Sequence, residues 1–383
     1  MTPVAHALAR RREGRDVPLA RRQLLHEPLK LALALAGVTL AVALVGLLFG
    51  LREGIRRQVT TFADNVGAEV YVAPRDARSF VTAGPPTLPA VLADEIASLP
   101  GVRSTGAIVS AEAIVRLHHQ RVATQLLGFE PGRLGAPWQI ADGSAPARVG
   151  EIAVDRAMAR GHGLAAGDSL VVRGRRLRIV GLTDRTASWM TPLVFVTRAE
   201  AATMQEAPDA VNFVLVRGDG RDAGELVAQL RRLYPGLNVM TREELVANDR
   251  ALMSRTFNAP LLVMVLIALA IGALVIAITT YGFVAERRRE FGSLKAIGAR
   301  NGRLYRVVSG QALAIAAVAL VAGIALGQGA AWAIERLWPK FLFVSLPSHY
   351  AVVVVAALVM GLVGALVPAR VLARLDPAEV FRR

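Results

Sequence analysis

Three lysines, six histidines and no cysteine bound the chemistry open to this 383-residue chain. Lys30, Lys295 and Lys340 follow Leu, Leu and Pro. None therefore ends the glycine-rich turn, followed by Lys and Ser or Thr, in which backbone amides and an ammonium hold nucleotide phosphates. His6, His26, His118, His119, His162 and His349 form neither an HExxH pattern nor a paired metal-ligand spacing. His118 and His119 are adjacent on a predicted strand and point to opposite faces. Without cysteine there are no disulfides, no cysteine-ligated zinc and no thiol nucleophile. No GxSxG turn occurs, and no Asp, Glu or His lies deep in an apolar run, as an intramembrane protease would require. Enzyme is the class these residues support least.

The spacing that does stand out is one for binding. Glu286 to Ala299 reads E-R-R-R-E-F-G-S-L-K-A-I-G-A, a compact charged segment between two long apolar runs. On a helical template Phe291, Leu294 and Gly298 fall at i, i+3 and i+7, a narrow apolar stripe, while Arg288, Arg289 and Lys295 point elsewhere. Gly292 and Gly298 each cost roughly 1 kcal/mol relative to alanine in a helix, which predicts a break, a C-terminal cap or close approach of another backbone. Such a helix is suited to lie across another surface. The competing reading is a solvated turn whose arginines only fix its side of a membrane.

The elements that would position this segment are apolar. Composition is 54% hydrophobic and mean hydropathy is +0.43, too high for an ordinary water-soluble protein. Leu31 to Leu51 is an uncharged run of 21 residues, long enough at 1.5 Å per residue to cross about 30 Å of hydrocarbon. No small-x-small cleavage site follows it; Arg52, Glu53, Arg56 and Arg57 continue an amphipathic helix, so an anchor is expected rather than a signal peptide. Further runs at about 259–284, 307–334 and 350–369 give four predicted spans.

Net charge is +15, with 45 basic against 30 acidic residues, which could signal nucleic acid. Its placement indicates otherwise. Seven Lys or Arg lie in residues 1–30, seven in 287–306 and four after 369, all flanking predicted spans. With an inside amino terminus, all three basic segments share the cytoplasmic side. The charge reports topology, with attraction to anionic membrane lipid as a secondary effect.

The expected domains are an amphipathic cytoplasmic segment at 1–28, transmembrane helix 1 at 29–51, stalks and an extracytoplasmic α+β domain at 52–258, and transmembrane helix 2 at 259–284. A cytoplasmic elbow at 285–306, helix 3 at 307–334, an outer loop at 335–349, helix 4 at 350–369 and a cytoplasmic tail at 370–383 follow. In the outer domain strands are expected at Ala68–Ala73, Ala107–Val115, Val122–Gly128, Glu151–Val154, Ser169–Val172, Arg176–Leu182 and Pro192–Val196. Helices are expected at Leu88–Leu99 and Asp222–Leu233. Ala210–Val216, that second helix and Leu237–Met240 form a strand-helix-strand unit that can pair with the first strand, and Gly167-Asp168 reads as a turn. Within the spans, Gly46 with Gly50 and Gly323 with Gly327 form GxxxG pairs, open to dimerisation or to internal packing. Gln311 and Gln328 are the strongly polar side chains at depth, suited to joining helices by hydrogen bonds, with a substrate contact as the alternative.

Three stretches carry a family resemblance. The elbow closely resembles the loop after the second span in FtsX-like ABC permeases, the family that includes MacB, LolC and the DevC heterocyst exporter subunits. Ala20 to Ala41, A-R-R-Q-L-L-H-E-P-L-K-L-A-L-A-L-A-G-V-T-L-A, looks like the opening of DevC-type permeases. Glu151 to Leu170, E-I-A-V-D-R-A-M-A-R-G-H-G-L-A-A-G-D-S-L, is similar to the extracytoplasmic core domain of the MacB family, and the closing D-P-A-E-V-F-R-R resembles the family's tail. The resemblance implies a four-helix membrane protein with a MacB-core-like α+β domain between the first and second helices, in a bacterial inner membrane.

It also implies docking of the elbow on a separate ABC ATPase. Glu286, Arg287, Arg288, Glu290, Phe291, Gly292, Leu294, Lys295 and Gly298 are the expected coupling residues, with Phe291 and Leu294 in a groove of the ATPase and Arg288 and Lys295 at its acidic edge. ATP and magnesium are expected on that partner and no cofactor on this chain. A second copy of the chain, a periplasmic adaptor and an outer-membrane channel complete the expected partners. Two functions fit the resemblance: an exporter that passes ATPase motion to the outer domain, favoured by the DevC-like opening, and an FtsX-like scaffold that controls a cell-wall hydrolase.

Overall fold

The computed structural model describes residues 28–373 apart from 83, 118–119, 189–190, 221, 298–300 and 339–340. The amphipathic amino-terminal segment, the tail from 374, Gly298, Lys340, His118 and His119 lie outside the described residues. The chain divides into two units: 51–259 with 334–344, and the remainder.

The first unit is built on strands. α1 (Pro28–Gln58) ends in it, followed by α2 (Thr61–Asn65), β1 (Val70–Pro74), β2 (Leu88–Pro89), α3 (Leu92–Ala97), β3 (Val102–Leu117) and β4 (Gln120–Phe129). Next come β5 (Ile140–Gly143), β6 (Glu151–Asp155), α4 (Arg156–Gly161), β7 (Ser169–Val172), β8 (Arg175–Thr183), β9 (Ala187–Ser188), β10 (Thr191–Thr197) and α5 (Arg198–Gln205). β11 (Ala210–Val211), β12 (Phe213–Gly218), α6 (Ala223–Leu233) and β13 (Leu237–Thr241) lead into α7 (Arg242–Glu286).

The sheet is mixed. Strands β13, β1, β12 and β3 are antiparallel neighbours, and β1 pairs with both β12 and β13, as the strand-helix-strand reading expects. β3 is long enough to serve two structures: residues 102–108 pair with β12, and 109–117 pair with β4. From there β4, β10, β6, β8 and β7 return to β3, with β4–β10 and β6–β8 parallel, and close a ring. β1, β6, β10 and β12 are nearly continuous in buried residues, whereas the outer half of β3 and the start of β8 alternate and leave one face exposed. Val70 and Val72 enter one core with α3 and α6, while Tyr71 and Ala73 enter the other beside Phe62, Phe80 and Phe213.

Local chemistry explains the departures from expectation. The predicted helix at Leu88–Leu99 starts only at Leu92, because Leu88 and Pro89 pair with Val211 and Ala210. α4 and α5 are short helices with real caps. Asp155 accepts from the N–H groups of Ala157 and Met158, and Thr197 from that of Glu200. The expected turn at Gly167-Asp168 is present: Gly167 has φ +100°, and the Asp168 carboxylate accepts from Ala165 N–H at 2.8 Å.

The second unit is helical. α1, α7, α9 (Asn301–Leu337) and α10 (Pro347–Ala373) are each long and apolar enough to cross a membrane, and α8 (Arg288–Ala296) lies in the chain between α7 and α9. α7 has 45 residues, about 68 Å of helix, more than twice a hydrocarbon core. Its first turns belong to the strand-built unit and the part from Pro260 to the helical one. Val38, Val45, Ile276, Val308, Ile315, Ala319 and Met360 form the helical core. Outside that core the helices stay apolar, with Leu40, Ile278, Val321 and Val355 exposed.

Candidate coupling site

α8 starts one residue after α7 ends, with Arg287 as the joint. It runs unbroken through Gly292, so this glycine does not break the helix. Gly292 and Phe291 instead share the buried face. Phe291 is 8% exposed and joins the apolar cluster that contains Val284, Leu304, Val308 and Leu372. One turn later Lys295 Nζ donates to the Ala373 carbonyl oxygen of α10 at 2.6 Å. Phe291 and Lys295, at i and i+4, thus tie α8 to its own chain.

The opposite side carries the surface. Glu286, Arg288, Arg289, Glu290, Leu294 and Ile297 are exposed, Leu294 at 48% and Ile297 at 85%. Arg287 Nη1 pairs with Glu290 at 3.6 Å. Glu290, Leu294 and Ile297 lie at i, i+4 and i+7 and form the outward stripe, which shares Leu294 with the stripe read from sequence but has Glu290 and Ile297 in place of Phe291 and Gly298. The centre of the outward face is therefore turned by about 70° from the expected one. Periodicity alone could not choose, since apolar residues occur on both sides of α8, one set for its own core and one exposed. Phe291, expected in a groove of the ATPase, is buried within its own chain, and Lys295, expected at the rim, bonds to Ala373 of its own chain. Ile297, absent from the expected set, has the greater exposure.

The small residues of the spans are used within the chain. A Cβ added at Gly323 would lie 2.6 Å from Val42 Cγ1 and 3.0 Å from the Thr39 carbonyl oxygen, and one at Gly327 3.3 Å from the Ala43 carbonyl oxygen. Gly46 faces Val353, and Gly50 is buried. Of the two amides, Gln311 is buried. Gln328 donates to Ser345 Oγ at 2.9 Å and Tyr350 Oη at 3.0 Å, joining α9 to the start of α10.

In the strand-built unit, two buried carboxylates are held by defined partners. Glu200 is buried and accepts from Arg175 and from Gly150 N–H. Asp249, near the start of α7 and ahead of the apolar run at 259, accepts on Oδ1 from Ser79 Oγ at 2.5 Å and Phe80 N–H at 3.0 Å. Its Oδ2 is buried with no hydrogen-bond partner among the described residues. Burial pushes its carboxyl up to about 6, against the lowering effect of those hydrogen bonds. Among the described residues no group of three or more His, Cys, Asp or Glu is placed to hold a metal.

Four helices long and apolar enough to cross a membrane define the class as a membrane protein. The profile of the MacB-like periplasmic core domain matches residues 31–233, and that of the FtsX-like permease C-terminal region matches 262–377. The chain belongs to this MacB-like and FtsX-like family of ABC transporter permeases, and membership implies a partner ATPase. An uncharacterized ABC transporter permease of Mycobacterium tuberculosis is 26% identical over 353 residues, 92% of this chain and 95% of that protein. The macrolide export ATP-binding/permease protein MacB of Rhodospirillum rubrum is 26% identical over 394 residues, 95% of this chain but 59% of that longer protein. Among solved structures, the periplasmic region of MacB from Actinobacillus actinomycetemcomitans aligns with TM-score 0.38 at 10% identity, over 48% of this chain and 92% of its own.

Proposed function

We propose that this chain is the permease subunit of an ABC exporter of the MacB and DevC type, and that α8 receives the motion of a separate ATPase through Glu290, Leu294 and Ile297. The observation that carries this reading is the two-sided build of α8. Phe291 and Lys295 fix the helix to its own bundle, so a force applied to the exposed side is passed on rather than lost in a loose loop. Arg288 and Arg289 flank the stripe and suit acidic groups at the edge of a partner. α7 covers Arg242–Glu286, with Pro260 inside it, so the chain that enters α8 is continuous with the chain that leaves β13.

In this account ATP and magnesium bind the partner. The macrolide exporter above bears ATP-binding and permease functions in its name, and this chain matches 59% of it without a phosphate loop. Both termini and 286–306 are cytoplasmic, and 52–255 form an extracytoplasmic domain inserted between the first and second spans in the inner membrane. Two copies of the chain meet two ATPases, since an ATPase dimer offers two equivalent docking surfaces and this chain a single α8. A periplasmic adaptor and an outer-membrane channel complete the export path, and the substrate is a lipid-like or other molecule.

Affinity purification of the tagged full chain with its partners, followed by native mass spectrometry, tests the assembly. Two permeases with two ATPases and an adaptor are expected. A stable ratio of one permease to two ATPases, or recovery of a cell-wall hydrolase in place of an adaptor, contradicts it. A cysteine at Ser293 should be shielded from an impermeant thiol reagent in intact cells; labelling there would overturn the topology.

A further inference from the structure

The strand-built unit holds two cavities that coupling leaves unused. One of about 710 Å³ is lined by Ile114, Arg116, Arg121 and Arg173, with Glu112 as the lone acidic residue. The other, of about 590 Å³, extends past Asp155 and His162 to Leu337 and Trp338. Arg121, Ala123 and Thr191 line both, so the cavities adjoin along β4 and β10.

The charges in them are unbalanced. Arg116 and Arg121 are direct cross-strand partners in the β3–β4 register, a placement that costs stability for like charges. Among the described residues neither has an ion pair or hydrogen bond to offset it. Arg173 sits at φ +46° in the β7–β8 turn, where glycine or asparagine is the usual choice. That conformation lets its guanidinium donate to the carbonyl oxygens of Glu112 at 3.0 Å and Met204 at 3.4 Å, neutral acceptors that fix the group and leave its charge. Asp155 accepts from the neutral N–H groups of Ala157, Met158 and Thr186 and likewise keeps its charge, so Arg116, Arg121 and Arg173 stand against Glu112 and Asp155 along the two cavities. Beside the guanidiniums lie exposed apolar side chains, Ile114, Leu337 and Trp338, in a unit whose large apolar residues are otherwise mostly buried.

We infer that the adjoining cavities bind an anionic amphiphile, with its carboxylate or phosphate head on Arg116 and Arg121 and its apolar body over Ile114, Leu337 and Trp338. Guanidinium forks suit either head by paired hydrogen bonds, and an anion between the two arginines relieves their repulsion. The binding site stands by itself; its standing as the substrate class rests on the export reading.

The test is equilibrium binding to the full chain in phosphatidylcholine nanodiscs, corrected with empty discs. The probes are radiolabelled oleoyl-lysophosphatidate, oleate and inorganic phosphate. Both amphiphiles should bind saturably and compete, with the tighter one naming the head group, and inorganic phosphate should not displace them. The double variant Arg116→Gln, Arg121→Gln should bind about tenfold more weakly or worse, with unchanged or raised thermal stability because a repulsion has been removed. Trp338→Ala should weaken oleate and lysophosphatidate several-fold. A second pair, Arg116→Lys with Arg121→Lys, keeps the charge and should bind between wild type and the Gln variant. Equal binding by wild type and the Gln or Lys pairs, or displacement by inorganic phosphate alone, overturns the site. ATPase co-purification with the same variants separates the two ideas: intact co-purification with no amphiphile binding removes this inference and leaves the coupling reading standing.

Discussion

The two units apply one hydrophobic rule in opposite directions. In the strand-built unit Val70, Tyr71, Phe195 and Phe213 are fully buried, and the central strands β1, β10 and β12 contribute residues to cores on both faces. In the helical unit Leu40, Ile278, Val321 and Val355 point outward while alanine, glycine and valine fill much of the core. The difference reports the solvent. Facing water, apolar area is driven inward; facing hydrocarbon it has no such preference, and helices associate by close packing at small residues. α8 combines the two patterns, with an inward aromatic and an outward apolar stripe amid charges.

The largest expected effect falls on the water-facing core. Phe195 meets the rings of Phe129 and Trp138 edge-on, at 6.4 and 5.9 Å between centroids. Phe195→Ala should cost about 3–5 kcal/mol, read as loss of resistance to chemical unfolding and to proteolysis of the outer domain.

Matched charge insertions sharpen the contrast next. Val321, 72% exposed in mid-α9, should cost about 2.5–3.5 kcal/mol of membrane insertion when changed to Arg. Val149→Arg, at an exposed site of the strand-built unit, should stay within about 0.5 kcal/mol in thermal unfolding. Similar costs at the two sites would break the comparison.

A pH titration probes the buried carboxyl at the start of α7. Asp249 is raised from 3.8 to about 6 in the folded chain, so folding favours its protonated form. Its stabilising contribution is complete below about pH 4 and is lost as pH rises through about 6, up to roughly 3 kcal/mol for a shift of this size. Asp249→Asn keeps an acceptor for Ser79 and Phe80 and removes the titration. The stability of wild type relative to this variant should therefore fall between pH 4 and 7 in paired thermal melts; parallel curves would contradict the burial argument.

A smaller effect is expected at the helix seam. Gly323→Val drives a branched side chain at Val42 and the Thr39 carbonyl and should cost about 1–3 kcal/mol of bundle stability in detergent melts. Because this seam is internal, the variant should leave the number of chains per complex unchanged.

Much of this organisation was legible in residue patterns, and the failures have physical causes. Ser169–Val172 was placed to the residue as a strand, and the long uncharged runs marked the apolar helices. Thr197-Arg-Ala-Glu200 spells a capping box, so α5 carried a readable signal that its eight residues made easy to pass over. The continuous helix from Arg242 was hidden because its first turns are polar and belong to the water-facing unit. In the elbow the segment itself was evident but its rotation was not. Phe291 is inward because it completes a core formed by residues before and after it in the chain, information that no local period contains.

The most direct test of the central account compares the two sides of α8 in a reconstituted complex with the cognate ATPase. Leu294→Ala with Ile297→Ala should weaken ATPase association by 2 kcal/mol or more, about 30-fold, and uncouple ATP turnover, with the melting temperature of the isolated permease unchanged. Phe291→Ala should do the reverse in kind, lowering the permease's own melting temperature because it opens the helical core. If the Leu294 and Ile297 double variant binds the ATPase and supports coupled turnover as wild type does, α8 is not the docking element and the solvated-turn reading returns.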